Sequence, residues 1–248
     1  MSEPAADKIA LTVTNVSKRF GGLVAVNNMS FHLSENEVLG VLGPNGSGKT
    51  TMLNLISGAL KATSGEIRLY GNDISGARAE QIANRGIART FQIVRMLPGL
   101  TVLENVAAGG VFGHSRRWGS ELHEYALGTL RRVGLQGSAD APVSALTYID
   151  QKRVELARAL ASDPKILLLD EWLAGLNPTE LTTGIALIEQ LRAEGRTIII
   201  VEHVMDAIRS LCDRCVVMNT GAKIAEGTPK EVLADSEVIR AYLGDADA

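Results

Sequence analysis

The chain has 248 residues, of which 46% are hydrophobic and 21% charged. That is the composition of a folded domain and excludes a disordered tail or a fibrous repeat. Twenty-five Lys and Arg against 28 Asp and Glu leave a net charge of −3, so neither nucleic acid nor a bare lipid surface is expected as the main partner.

Leu11–Val16 and Met29–Leu33 alternate apolar and polar residues, as half-buried strands do. Val38–Leu42 is an unbroken apolar run, suited to a strand covered on both faces. A Gly-rich stretch follows it, and then a helix expected from Lys49 to about Leu60. Ile67–Tyr70 reads as a short strand closed by the turn signal Gly71-Asn72. From about 94 to 161 the pattern is helical: Leu122, Ala126, Leu130 and Val133 share one face, as do Val154, Ala157 and Ala161, with a loop expected over Gly109–Gly119. Ile166–Leu169 and Thr197–Val201 are further buried strands with a helix between them, Pro178–Ala193. Strands alternating with helices predict a mainly parallel α/β sheet. The expected division is a core over 8–93 and 162–226, a helical subdomain inserted over 94–161, and a helical tail over 227–248. No apolar run approaches the ~20 residues of a membrane span. Met1–Ala10 lacks the apolar run of a secretory signal, so a soluble, intracellular chain is expected.

Gly43-Pro44-Asn45-Gly46-Ser47-Gly48-Lys49-Thr50, continued by Thr51, fits G-x-x-x-x-G-K-[ST] between a buried strand and a helix. Glycines let successive backbone N–H groups turn inward around a phosphate, and the helix N-terminus adds partial positive charge. Lys49 is then placed to reach the β- and γ-phosphates of a nucleotide, and Thr50 to ligate Mg²⁺. Asp170-Glu171 ends a parallel strand, at the sheet edge where this architecture binds ligands. Asp170 is the candidate to hold Mg²⁺ through water, and Glu171 to polarise the attacking water. His203 follows a strand at the same edge, and Gln92 sits where the core hands over to the helical insert.

Other chemistry-bearing residues have plainer readings. Cys212 and Cys215 form a C-x-x-C, but no second pair or His completes a metal set, so packing is expected. His114 and His123 lie near Glu121 and Glu124 without metal-ligand spacing. Arg116-Arg117-Trp118 reads as a solvated loop, and His32 sits in a strand-like segment.

The order of phosphate loop, Gln92, Leu146-Thr147-Tyr148-Ile149-Asp150, Asp170-Glu171 and His203 resembles the nucleotide-binding subunit of an ABC transporter along the whole chain. Lys18–Leu23 is similar to the family's adenine-stacking segment, with Phe20 as platform. Gly86–Gln92, Ala174–Pro178 and Ile239–Gly244 resemble the Q-loop approach, D-loop and C-terminal ending of subunits serving branched-chain amino-acid uptake. The resemblance implies a P-loop NTPase with a RecA-like core sheet, an antiparallel β segment and the helical insert. It implies ATP and Mg²⁺ as cofactors, Gln92 as a further metal contact, and Glu171, His203 and Gln92 as catalytic groups. Thr147 would touch nucleotide across a dimer. The partners implied are a membrane permease, a second ATP-binding subunit and, indirectly, a solute-binding protein, with the chain peripheral on the inner membrane face. Branched-chain or related hydrophobic amino acids are the implied cargo, with amides, urea or aromatic acids as alternatives. A non-transport ABC ATPase would usually carry a coiled-coil insertion or tandem cassettes. A P-loop kinase or GTPase would lack the coexisting Gln92, signature-like segment and His203.

Two positions depart from the family pattern. Ile149 stands where the signature has a glycine whose backbone nears the γ-phosphate across the dimer. A β-branched side chain there is ill suited to close approach. A heterodimer, confining the defect to one site, is therefore the favoured expectation, with a homodimer whose loop shifts to tolerate Ile149 as the alternative. Trp172 stands where the family usually has Pro.

Overall fold

A computed structural model describes residues 8–243. The hairpin β1 (Ile9–Phe20) and β2 (Leu23–Ser34) joins β4 (Ser64–Leu69) and β5 (Asn72–Asp73) in an antiparallel sheet of order β2-β1-β4-β5. Its period-2 pattern buries Leu11, Val13, Val26, Met29, Phe31 and Leu33. The second sheet runs β10-β9-β3-β8-β7-β6. Here β3 is Val38–Leu42, β6 Ile87–Arg89, β7 Ile166–Asp170, β8 Thr197–Val201, β9 Arg214–Asn219 and β10 Ala222–Gly227. All pairs are parallel except the edge pair of β9 and β10. Every residue of β3, β7 and β8 is buried, which explains their unbroken apolar sequences. In register, Val41 and Asp170 both face Val201, so the exits of β3, β7 and β8 lie side by side at one edge.

Around these sheets lie α1 (Lys49–Ile56), α2 (Ala79–Asn84), α6 (Pro178–Ala193) and α7 (Met205–Leu211). Between β6 and β7 come the three helices α3 (Val102–Phe112), α4 (Gly119–Arg132) and α5 (Tyr148–Ala161). The chain ends in α8 (Pro229–Ala234) and α9 (Ser236–Leu243). Gly244 and the remainder of the expected tail lie outside the described residues. Two apolar clusters form the core. One joins the helical insert to Leu167, Leu169, Ile198 and Ile200, and the other packs the antiparallel sheet and α1 on the opposite faces of β3, β7 and β8. No described helix is long and apolar enough to cross a membrane.

Several elements differ from the sequence reading. Helix α3 continues through Gly109 and Gly110, where a loop is expected. A Cβ at Gly109 would lie 2.0 Å from the Arg158 carbonyl oxygen and one at Gly110 2.6 Å from Leu122, so these glycines permit close packing between helices. Helix α1 stops at Ile56, four residues early, and Gly58 follows with φ +72°. The short β5, β6 and α2 carry too few residues to show a period. Cys212 and Cys215 are both free and buried, and their mutual hydrogen bond with burial raises the Cys212 thiol pKa, in keeping with packing.

Candidate active site

Strand β3 feeds directly into the phosphate loop, whose path only glycine allows. Gly43 is buried with φ +143°, and a Cβ there would stand 2.1 Å from the Met218 carbonyl oxygen. Gly48 has φ +104°, with the Ala25 carbonyl oxygen 2.4 Å from a Cβ position. Two backbone bonds brace the loop from behind. The Gly43 N–H donates to the Tyr242 hydroxyl at 2.8 Å, and the Gly221 N–H donates to the Ser47 carbonyl at 3.0 Å. Lys49 folds back, donating to the Gly43 and Pro44 carbonyls at 2.8 and 2.9 Å. Burial lowers its pKa, while the carboxylates of Glu171 and Asp170 oppose that shift. Ser47 is buried and its hydroxyl has no partner among the described residues.

A cleft of about 590 Å³ opens on this loop. Phe20, Asn45, Lys49, Thr50, Gln92 and Glu171 line it, so the structure gathers these expected residues around one space, with Gly46, Gly48 and Thr51 beside them. Phe20 is 45% exposed at the mouth, with Lys18 Nζ 5.0 Å from its ring centre. Val24, Ala25, Thr220 and Gly221 also form the wall. Their sequence carries no signal, because they arrive from two hairpins brought to the loop by tertiary folding.

The acidic edge lies opposite. Gln92 donates through Nε2 to Glu171 Oε2 at 2.6 Å. Glu171 has φ +48°, a left-handed conformation that costs a non-glycine residue energy and is held by its N–H to the Val201 carbonyl at 2.8 Å. Asp170 is 2% exposed; Arg89 donates to its Oδ2 at 2.6 Å, and its Oδ1 is buried without a partner among the described residues. That free carboxylate oxygen and the Thr50 hydroxyl are the hard donors that suit a hydrated divalent cation.

Behind Glu171 sits a buried polar cluster. Lys152, 1% exposed, donates to the Trp172 carbonyl at 2.8 Å and to the Glu171 carbonyl at 3.4 Å. Trp172 is fully buried, and its indole N–H returns a bond to the Lys152 carbonyl at 3.2 Å. The tryptophan is thus a packing residue that ties the turn after β7 to α5. Glu202 accepts from the Leu173 N–H at 2.6 Å, and burial pushes its pKa to about 7 against the pull of Lys152.

Two expected residues, His203 and Thr147, stand apart from the cleft. His203 leaves β8 at the same edge, but its exposed side chain does not line the space. Thr147 is exposed at the start of α5, where its hydroxyl donates to Asp150 Oδ2 at 2.9 Å and accepts from the Asp150 N–H at 3.3 Å. Ile149 corrects the steric expectation. Only 7% exposed, its side chain is buried within the chain itself and is not the group presented on the signature surface. Tyr148 is the residue exposed there, at 48%. Helix phase decides this: the third position of the segment faces out and the fourth faces in.

Comparison with known proteins agrees with this geometry. Residues 26–174 match the family model described as ABC transporter, and residues 222–248 match one described as branched-chain amino acid ATP-binding cassette transporter. The chain is 42% identical to the high-affinity branched-chain amino acid transport ATP-binding protein LivG of Salmonella typhimurium, covering 99% of this chain and all of that protein. It is 40% identical to BraF of Pseudomonas aeruginosa, with 95% and 98% covered. Among solved structures, the ADP conformation of MJ1267, an ATP-binding cassette of an ABC transporter, superposes with a TM-score of 0.87 at 32% identity, covering 96% and 99% of the two chains.

Proposed function

The chain belongs to the ABC transporter family as an ATP-binding, ATP-hydrolysing cassette, and we propose that it energises uptake of branched-chain or closely related hydrophobic amino acids through a separate membrane permease. The observation that carries the chemistry is the Gln92–Glu171 bond at 2.6 Å across the cleft from Lys49 and Thr50. It sets a candidate base and a sensing amide opposite the place of a terminal phosphate.

In this reading ATP stacks its base on Phe20, and its phosphates lie against the inward N–H groups of Asn45–Thr51 and the N-terminus of α1. Lys49 leaves the Gly43 and Pro44 carbonyls and turns to the β- and γ-phosphates. Thr50, Asp170 and Gln92 are the residues that would hold Mg²⁺, which would supply charge neutralisation on those phosphates. Glu171 accepts the proton of the attacking water, aimed by Gln92, and His203 approaches the γ-phosphate when the dimer closes. Thr147 presents the signature to the partner's nucleotide.

The second cassette of the dimer is proposed to be a different chain. The support is Thr147 and Asp150 rather than Ile149. Thr147 spends its hydroxyl on Asp150, and Asp150, although paired with Arg153, puts a carboxylate into the segment that in this reading faces a partner's phosphate. A partner with an uncharged signature would complete the site built on Gly43–Thr51 and Glu171. The dimer binds the permease at the inner membrane face, where a solute-binding protein delivers cargo from the other side.

The test is reconstitution with a branched-chain amino-acid permease, a candidate second cassette and a solute-binding protein. ATP-dependent uptake of labelled leucine, isoleucine and valine is expected, with amides and urea failing to compete. Uptake of amides or urea alone would refute the assigned cargo. Light scattering of full-length Glu171→Gln with ATP is expected to show monomer until the second cassette is added, and a tight homodimer would refute the heterodimer.

A further inference from the structure

Arg89 lies outside every role assigned above, yet it is the most connected cation near the site. Its side chain is 7% exposed. One arm donates to Asp170 Oδ2 at 2.6 Å. The other donates to Asn54 Oδ1 at 2.6 Å and to Ser57 Oγ at 3.2 Å, and Asn54 belongs to the helix that begins at the phosphate loop. The guanidinium thus joins three elements in space: β6, three residues before Gln92; β7, at its terminal carboxylate; and α1.

We propose that Arg89 is a positioning residue that aims Asp170 at the divalent cation, an inference that rests on the assignment of Asp170 to Mg²⁺. By occupying Oδ2, Arg89 fixes the carboxylate plane and leaves Oδ1 as the one oxygen without a partner among the described residues. The planar fork sets a direction, which a point charge does not. Without the fork, the carboxylate has Lys49 as its alternative, since the two already interact electrostatically. Turning there would withdraw both groups from phosphate and metal. A guanidinium also repels a nearby cation, which acts in the opposite sense. Orientation prevails because the Arg89 charge is already paired with Asp170, and loss of a group that orients a metal-holding side chain typically lowers metal affinity 10–100-fold.

The experiment measures ATP affinity of the full-length chain by fluorescent-nucleotide displacement, across an Mg²⁺ titration and in EDTA. Arg89→Lys and Arg89→Met are expected to need about tenfold more Mg²⁺ for half of the metal-dependent gain. In EDTA both are expected to bind ATP within about twofold of wild type, a split that general unfolding of the site would not produce. Direct Mn²⁺ binding is expected to weaken in parallel. Lysine keeps the charge and lacks the fork, so a wild-type Mg²⁺ response in Arg89→Lys overturns the proposal, as does a tightened response in Arg89→Met. If the buried substitutions do not fold, Asn54→Ala carries the test: it loosens one arm without stranding a charge, and an unchanged Mg²⁺ response overturns the proposal. Asp170→Asn in the same assay separates the two levels. If it keeps the full Mg²⁺ response, the assignment of Asp170 fails; if it loses the response while the Arg89 variants do not, only the role of Arg89 fails.

Discussion

Tyr242→Phe deletes one oxygen from the last described helix and nothing from its packing. That oxygen accepts the Gly43 N–H at 2.8 Å, at the first glycine of the phosphate loop. Gly43 is buried against Met218, so its N–H has no water to replace the lost acceptor. An unsatisfied buried donor costs about 1–3 kcal/mol. The empty loop can escape part of that cost by shifting Gly43, but nucleotide requires the inward N–H geometry back. The variant is therefore expected to bind ATP about 5- to 30-fold more weakly, corresponding to about 1–2 kcal/mol. Isothermal titration with ATP on the full-length chain measures it, and thermal melting without nucleotide reports any general loss. Reciprocity adds a second readout: if α9 favours binding, nucleotide must favour docking of α9. ATP is then expected to protect the bond after Arg240 from trypsin in wild type more than in Tyr242→Phe. Unchanged affinity together with unchanged protection would refute the argument.

Phe20→Ala is expected to weaken ATP binding by about 1–3 kcal/mol, with Phe20→Trp near wild type, because stacking requires an aromatic face and no particular hydrogen bond; equal affinity in the alanine variant would move the base elsewhere. Glu202 has its folded pKa raised from 4.5 to about 7 by burial, with Lys152 and Glu171 as its charged neighbours. The folded chain then binds more protons than the unfolded one between these values, so this group lowers stability as pH rises from about 4.5 through 7. Glu202→Gln should remove about 2 kcal/mol of that decline between pH 5.5 and 8, read from urea unfolding at those two values; an unchanged pH slope would contradict it. Gly109→Ala places a methyl 2.0 Å from the Arg158 carbonyl oxygen and should cost about 1–3 kcal/mol of stability, checked by the same unfolding curves.

The phosphate loop was legible because its chemistry fixes residue types at fixed spacing, and the helix Pro178–Ala193 because Asn177, Pro178 and Glu180 cap it in sequence as well as in space. The strands Val38–Leu42 and Thr197–Val201 declare themselves through burial on both faces. What was hidden is tertiary. Tyr242 meets Gly43 across 199 residues, and Arg89 looks like any strand-end arginine until Asp170 and Asn54 arrive beside it. Glycine at 109 reads equally as a turn or as a contact between helices, and only the neighbour distinguishes them. The family's glycine position at 149 is legible from the order of motifs, whereas the direction of the Ile149 side chain depends on where α5 begins.

The most direct test of the whole account is Glu171→Gln in the reconstituted transporter, with ATP binding, phosphate release and leucine uptake measured on one preparation. The amide keeps the shape and the neighbour Gln92 but is no base. ATP binding is expected to persist, with phosphate release falling at least about a hundredfold and uptake falling with it. Wild-type phosphate release by this variant would contradict the assignment of Glu171, and wild-type uptake without phosphate release would contradict the claim that hydrolysis at this site drives transport.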